Sequence, residues 1–347
     1  MPDWKINVDP EVEARIMAAA NHEEGDRVPI WDYLDNPPVY EFFHREGEEP
    51  DVTMARAYNE LGIDLCRGYA LPLDEEDQNE ALTHWFPQSI SSPEQLEEEL
   101  KEPESSWDEI EPQLLECYYR QRDLLAPLTM RVPAAGTGLT DFYAATGLQR
   151  FCEWTKDYDE LLHAVLDKRA EDNARWARAA ARERLCPLFF VGEDIAFKGR
   201  LMFSPDYLRR TFIPMLQRVC EPLVNAGVKV IFHSDGYVME ILDDLLDIGI
   251  VGLNPIEPLA GMDIGYLKKR YGRRLILVGN VDCSQTLPLG SIEDVREAVR
   301  QCVKAASPGG GHFIGSSSEV TPSTPLQNVF AFYDACRQYG RYPIRDF

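Results

Sequence analysis

Basic residues are scarce in this chain. Lys and Arg number 35 against 59 Asp and Glu, a formal charge of −24 at pH 7. A surface of that sign repels phosphates, which argues against nucleic acid or an anionic membrane as partner. Long apolar runs are missing too: no stretch approaches the roughly 20 residues that cross a bilayer. Asp3, Glu11, Glu13, Glu23 and Glu24 break up any apolar core of a secretion signal near the N-terminus. The eight cysteines form no Cys-x-x-Cys pair, and a chain of this length buries enough core to need no disulfide framework. The expectation is a reducing, cytoplasmic setting in which most thiols pack as small hydrophobes. Phosphate-loop signatures are incomplete. Gly136-Thr137-Gly138 has neither the rest of the dinucleotide fingerprint nor the Lys-Ser/Thr of a P-loop.

What the sequence does have is a repeated alternation of short apolar runs and amphipathic segments. Strands are expected at 26–31, 61–66, 128–133, 187–191, 228–232, 250–253, 275–278 and 312–314. Helix starts are clear in the second half. Ser204-Pro205-Asp206 combines a capping hydroxyl, Pro at the first helical position and an acid in the first turn. Asp263, Ser291-x-x-Asp294 and Thr324-Pro325 open later helices. About eight strands with polar residues at their ends predict an α/β chain, a (β/α)8 TIM barrel. An open doubly wound sheet is the alternative, because periodicity does not report closure. Residues 1–25 read as an N-terminal helical extension. Residues 92–116, dense in Glu and carrying Pro93, Pro103 and Pro112, read as an acidic surface insertion. The whole chain, 1–347, is expected to form one domain.

The strand ends carry the chemistry. Phe232-His233-Ser234-Asp235-Gly236 follows the apolar run 228–231, and a His and an Asp two apart on a strand-to-helix turn project from the edge where such barrels build active sites. Gly192-Glu193-Asp194, Asn254-Pro255-Ile256-Glu257, Gly279-Asn280-Val281-Asp282-Cys283 and Ser316-Ser317-Ser318-Glu319 repeat the theme. Of the other histidines, His163 lies in an apolar helical run, His22, His44 and His84 in polar stretches, and His312 at a strand start, where a structural role is expected. His233, Asp235 and Asp194 are the catalytic candidates, as acid, base or ligand. Imidazole, thiolate and carboxylate suit zinc, which makes His233, Cys283 and Glu193 the expected metal ligands. The competing reading leaves Cys283 a packed small residue and the acids as helix caps. Trp31, Tyr33 and Tyr143, with Asn254 and Asn280, are expected to line a substrate pocket, and Phe142 to pack in the core.

Six blocks taken in order carry a family resemblance: Gly192-Glu193-Asp194-Ile195-Ala196, Met202-Phe203-Ser204-Pro205-Asp206, the His233 segment, Leu253-Asn254-Pro255, Gly279-Asn280-Val281-Asp282 and Ser307-Pro308-Gly309-Gly310-Gly311. Together they resemble the uroporphyrinogen decarboxylase superfamily, closer to its corrinoid-dependent methyltransferase branch than to true decarboxylases. The resemblance implies a (β/α)8 barrel with an N-terminal helical extension. It also implies an enzyme that moves a methyl group between a small molecule and the cobalt of cobalamin carried by a partner corrinoid protein. A methoxylated aromatic substrate, hence O-demethylation, fits the aromatic residues, and a homodimer is the candidate assembly. In the coenzyme M type, zinc is held by a His-x-Cys pair and a later Cys. Here the His is kept as His233, whereas Asp235 and a serine near Ser318 stand at the thiolate positions, so a site richer in oxygen is expected. Decarboxylases grip their substrate's carboxylates with arginines near the first strand end. This chain has Asp32 and Asp35 there, which predicts repulsion of such a substrate. A decarboxylase and a non-catalytic small-molecule-binding barrel remain the alternatives.

Overall fold

Eight parallel strands close into a ring. The computed structural model of the chain describes residues 3–68, 90–101 and 107–344; His84 and residues 102–106 of the acidic stretch lie outside them. The strands are β1 (residues 30–31), β2 (Leu65–Cys66), β3 (Met130–Arg131 continuing into Ala134–Ala135), β4 (Leu188–Gly192), β5 (Lys229–His233), β6 (Ile250–Asn254), β7 (Ile276–Val278) and β8 (His312–Phe313). From β3 to β8 each strand pairs with the next in parallel, and β2 pairs with the start of β3. β1 closes the circle, with parallel bridges from Trp31 to Leu65 and from Ile30 to Ile314. Ile314 N donates to Pro29 O at 3.0 Å, and Trp31 N donates to Ile314 O at 2.9 Å. The open-sheet alternative is thereby removed.

Alternation along each strand sorts the core into two parts. Trp31, Leu65, Met130, Val132, Leu188, Phe190, Ile231, Ile276, Val278 and Phe313 fill the barrel interior. Val230 and Phe232 face the other way, into the layer beneath the helices. The N-terminal helix Pro10–Ala20 sends Val12, Ile16, Ala19 and Ala20 into the interior cluster, so the expected extension plugs one mouth of the barrel. Buried Asp64 fastens it there: Arg15 Nη1 lies 2.7 Å from Asp64 Oδ1, and Arg27 Nη1 lies 2.6 Å from Oδ2.

Three of the four expected helix starts form as capped ends, and the fourth, at Thr324-Pro325, opens helix Leu326–Tyr339 without a side-chain cap. Tyr207 N donates to the Ser204 hydroxyl, Tyr266 N donates to the Asp263 carboxylate, and Ser291 with Asp294 makes a reciprocal capping box. Two boundaries differ from expectation. The strand expected over 61–66 shrinks to Leu65–Cys66 because Leu61 ends the helix Pro50–Leu61, with Gly62 left-handed (φ 73°) as its cap. The sequence also reads as helical from about Tyr237 to Leu246, but the α-helix begins only at Leu242. Gly236 (φ 91°) turns the chain against the backbone of Phe197, where a Cβ would lie 2.4 Å from an amide nitrogen, and Tyr237 N is held by Phe197 O.

His312 has the expected structural role. It is fully buried, with Nε2 donating to Gly279 O at 2.8 Å and Nδ1 accepting from the Ser307 hydroxyl at 2.8 Å. Burial pushes its imidazole down from 6.5 to about 4. A lowered folded pKa means stability that is complete above pH 6.5 and lost as the pH falls towards 4, because only the unfolded chain takes up the proton. Urea unfolding should therefore show about 2 kcal/mol lost between pH 6.5 and 5 through this residue. The difference in slope between the native chain and His312→Asn isolates it from other groups. Equal slopes would mean that His312 does not resist protonation.

Candidate active site

The strand order puts the chemistry at one mouth. Ile231 points into the barrel, so His233, two residues on, points inward at the strand's carboxyl end. Register then sets its neighbours: His233 lies opposite Gly192 of β4 and Asn254 of β6. Glu193-Asp194 follows β4 and Ser234-Asp235 follows β5, so three adjacent strand ends supply the centre. They open into a cavity of about 740 Å³ that also takes in Arg67, Trp107, Trp176, Phe190, Ser318 and Glu319.

His233 is fixed in one state. Its Nδ1 lies 2.6 Å from Asn254 Oδ1, an acceptor, which puts the proton on Nδ1 and leaves a lone pair on Nε2. Burial, then the positive charge of Arg67, lower its pKa, so the ring is neutral. That lone pair faces carboxylate oxygens: Asp194 Oδ1 at 3.7 Å and Asp235 Oδ1 at 4.0 Å. Asp235 Oδ1 is buried without a hydrogen-bond partner. Burial first, then Asp194 and Glu257, raise the Asp235 carboxyl to about 7. Asp194 Oδ1 accepts one bond, from Asp235 N at 3.1 Å, but no donor lies between the three converging acceptors, and a cation or a proton there relieves their repulsion. One ligand atom from each of Asp194, His233 and Asp235 lies within 4.8 Å of the others, a three-donor set that a dication fits with small closure.

Other expected site residues fall outside the three-donor set, although Glu193 lines the same cavity. Glu193 is buried, and its carboxylate is held by the loop that had read as a weak phosphate site. It accepts from the Thr137 hydroxyl and Gly138 N at 2.8 Å each, from Thr140 N at 2.7 Å, from the Thr140 hydroxyl and from Thr137 N. Those donors sit at the N-terminus of helix Leu139–Thr146, so the loop does bind an anion, and the anion is the chain's own. Both Glu193 oxygens are thereby engaged away from His233. Cys283 pairs with Ser317, its Sγ accepting from the hydroxyl at 3.5 Å, and is not part of the three-donor set. Tyr143 donates its hydroxyl to the Asp194 carbonyl at 2.9 Å, so it braces Asp194 and does not line the cavity. Asn280 opens onto a second cavity with Asp282 and Gln301. Trp31 packs inside the barrel against Phe190 and Phe313, and with Tyr33 and Asn254 it borders a small niche beside Arg67. Phe142 is buried in the core, as expected.

The two positions where the resemblance expects thiolates, Asp235 and Ser318, do meet: the Ser318 hydroxyl lies 3.5 Å from Asp235 Oδ2. Asp32, offered above as a repelling acid, is buried. It accepts from Ser316 N and the Ser316 hydroxyl, Tyr33 N and the Tyr333 hydroxyl, which ties the end of β1 to β8. Its role is structural, and its repulsion of a substrate anion is correspondingly weaker than the sequence implied. The acidic stretch also does more than cover the surface. Helix Trp107–Leu125 sends Trp107, Ile110 and Leu114 into the cavity wall. Arg67, Trp176 and these three were missed. Arg67 alone had a readable signal, as the first residue beyond an expected strand.

Both the sequence and the fold have known relatives. The profile of the uroporphyrinogen decarboxylase (URO-D) family matches residues 83–339. The chain belongs to that family. It is 30% identical over 195 residues to the methylcobamide:CoM methyltransferase MtaA of Methanosarcina barkeri, an alignment covering 55% of this chain and 53% of that protein. The chain thus spans about half the length of the curated methyltransferase it matches. It is 32% identical to the uroporphyrinogen decarboxylase of Coxiella burnetii, over only 78 residues, 22% of this chain and 21% of that protein. A solved methyltransferase from Methanosarcina mazei superposes with a TM-score of 0.71 at 22% identity, covering 94% of this chain and 98% of its own, which establishes the shared fold. No helix among the described residues is long and apolar enough to cross a membrane.

Proposed function

We propose that the chain is a corrinoid-dependent methyltransferase, moving a methyl group between a small molecule and the cobalt of a corrinoid protein. The observation that carries this reading is the neutral imidazole of His233, its Nε2 lone pair held against Asp194 and Asp235 at the mouth of the barrel. The likeness to a methylcobamide:CoM methyltransferase over half the chain supports it. A methyl group leaves an ether, amine or thioether poorly unless the heteroatom keeping the electron pair is stabilised. Zinc fits the donor set of His233, Asp194 and Asp235, and when bound it would supply that stabilisation as a Lewis acid. The residues contribute the rest. Asn254 holds the imidazole in the ligating tautomer, Asp235 can instead deliver a proton to the heteroatom, and Trp107, Trp176 and Phe190 give the cavity apolar wall surface. An oxygen-rich set without thiolates binds a harder centre than the thiolate type and leaves a stronger Lewis acid. The cytoplasmic setting, the corrinoid partner and one domain over 1–347 belong to the same reading.

The decarboxylase alternative asks the cavity to hold a substrate with many carboxylates. Among the described lining residues Arg67 is the only Lys or Arg, which is too few. Purified protein should alkylate Co(I) cobalamin with a methyl ether, amine or thiol ether from a broad panel, read as the change in cobalamin's visible absorption. It should leave uroporphyrinogen unchanged. Absence of enzyme-dependent alkylation across the panel, together with uroporphyrinogen turnover, would reverse the assignment.

A further inference from the structure

Acid dominates the wall of the His233 cavity. Six carboxylates line it, those of Asp141, Asp172, Glu193, Asp194, Asp235 and Glu319, against the single guanidinium of Arg67 among the described residues. Two of the six are answered within the chain. Glu193 is held by the 137–140 loop, and Asp172 pairs with Arg175 at 3.5 Å. Asp194 and Asp235 belong to the three-donor set.

Asp141 and Glu319 remain. Both are partly buried, and neither carboxylate has a hydrogen bond or an ion pair among the described residues. They enter from different walls, Asp141 from the first turn of helix Leu139–Thr146 and Glu319 from the loop beyond β8. Burial is the main influence on each and pushes both carboxyls up. The cations whose charge reaches them are engaged elsewhere. Arg169, near Asp141, pairs with Glu99 at 2.9 Å. Arg67, near Glu319, stacks 4.5 Å from the centre of the Tyr33 ring and 5.2 Å from that of Phe190. A dication at His233 would draw on Asp194 and Asp235 and leave Asp141 and Glu319 unanswered.

Two further features of the same cavity suit a positively charged organic ligand. His233 is only 7% exposed, and its Nε2 lone pair aims into the space without a hydrogen bond. Trp107, Trp176 and Phe190 supply aromatic surface, on which an ammonium group is attracted to the ring faces. Carboxylates left unpaired in a half-enclosed space raise the energy of the empty site, and a cation recovers that energy where an anion adds to it.

We propose that this cavity selects organic cations, with Asp141 and Glu319 supplying the attraction, and that the small molecule taken for methyl transfer carries a positive charge. The inference rests on the methyl-transfer reading for the reaction and extends it by naming the charge class of the substrate. Two sources share this chemistry: a methylated ammonium, whose charge sits on the reacting nitrogen, and a methyl ether that carries an ammonium group elsewhere. Asp141 and Glu319 are specificity determinants here, outside the three-donor set.

Binding alone tests this, without methyl transfer. Titration calorimetry on the full chain compares two pairs of nearly equal shape: choline with 3,3-dimethylbutanol, and 2-(4-methoxyphenyl)ethylamine with 2-(4-methoxyphenyl)ethanol. In at least one pair the cation should bind about tenfold tighter or more than its neutral counterpart. The pair that shows the preference identifies the source of the charge. The anion 4-methoxyphenylacetate should bind more weakly than either member of the second pair. The preference should persist when zinc is supplied. Asp141→Asn combined with Glu319→Gln should bring the members of the pair to within about twofold, and each single change should cut the preference about threefold. If the double variant does not fold, the single variants carry the comparison. No preference in either pair, no binding at all, tightest binding of the anion, loss of the preference on adding zinc, or a preference undiminished in the variants overturns the proposal. Cation selectivity without methyl transfer to cobalamin would sink the functional reading and leave the cation site standing. Methyl transfer from neutral ethers without cation selectivity would do the reverse.

Discussion

Replacing His233 by alanine is expected to abolish tight binding of one zinc per chain and to lower methyl transfer by about a thousandfold or more. Nε2 of this residue is the only nitrogen in the three-donor set, and two carboxylates at 3.7 and 4.0 Å cannot replace it. Asn254→Ala should act through the same atom more mildly. Loss of its hydrogen bond to Nδ1 releases the tautomer and the ring orientation, worth about 10–100-fold in metal affinity. Metal analysis of the purified variants, read beside the cobalamin assay, separates these roles. Full zinc occupancy in His233→Ala would remove the metal reading. The centre would then be an acid–base pair, with Asp235, whose carboxyl titrates at about 7, giving the proton.

Replacing Glu193 by alanine is expected to destabilise the fold by about 3–5 kcal/mol, since buried donors lose a charged acceptor together. Thr137, Gly138 and Thr140 all aim at this one carboxylate, and the Thr140 hydroxyl also accepts from Asp194 N at 2.9 Å. The damage should therefore spread to the active site, with Asp194 losing its placement. Glu193→Gln keeps the shape but turns an amide N–H₂ towards donors, and it should recover little. Urea unfolding of the purified variants reads the effect directly. A Glu193→Ala variant with native stability and lost zinc would return Glu193 to the ligand role that the sequence suggested.

Local signals proved reliable where the cause of an element was itself local. The capped starts at Ser204, Asp263 and Ser291 depend on atoms within three residues of each other, and all three form. The strand that ends in His233 was legible because a continuous apolar run needs burial on both faces. Strand ends that depend on a neighbour were less legible. Nothing local in 26–31 says that Ile30 and Trp31 join the ring while Arg27 bridges Arg341 antiparallel, because the partners Ile314, Leu65 and Arg341 come from the far end of the chain and from the next strand.

The site divides in the same way. His233, Asp194 and Asp235 could be named from residue type and position at strand ends. Their company could not, because it depends on register and on side-chain direction. Glu193 and Asp194 are adjacent in sequence, yet one carboxylate turns to the 137–140 loop and the other to His233. Cys283 has the right chemistry for zinc and lies in the right class of loop, but its thiol meets Ser317. Arg67 passed unnoticed because a single arginine after a short strand looks like any surface cation until Tyr33 and Phe190 are beneath it.

By itself the sequence determined the fold class, the alternation of elements and the mouth at which chemistry would gather. These follow from periodicity and capping, whose physics acts over a few residues. Closure of the ring, the partner of each acid and the charge that a ligand would meet were decided only by the tertiary structure. They rest on contacts between residues such as Asp32 and Ser316, 284 positions apart, whose geometry is set by the whole barrel.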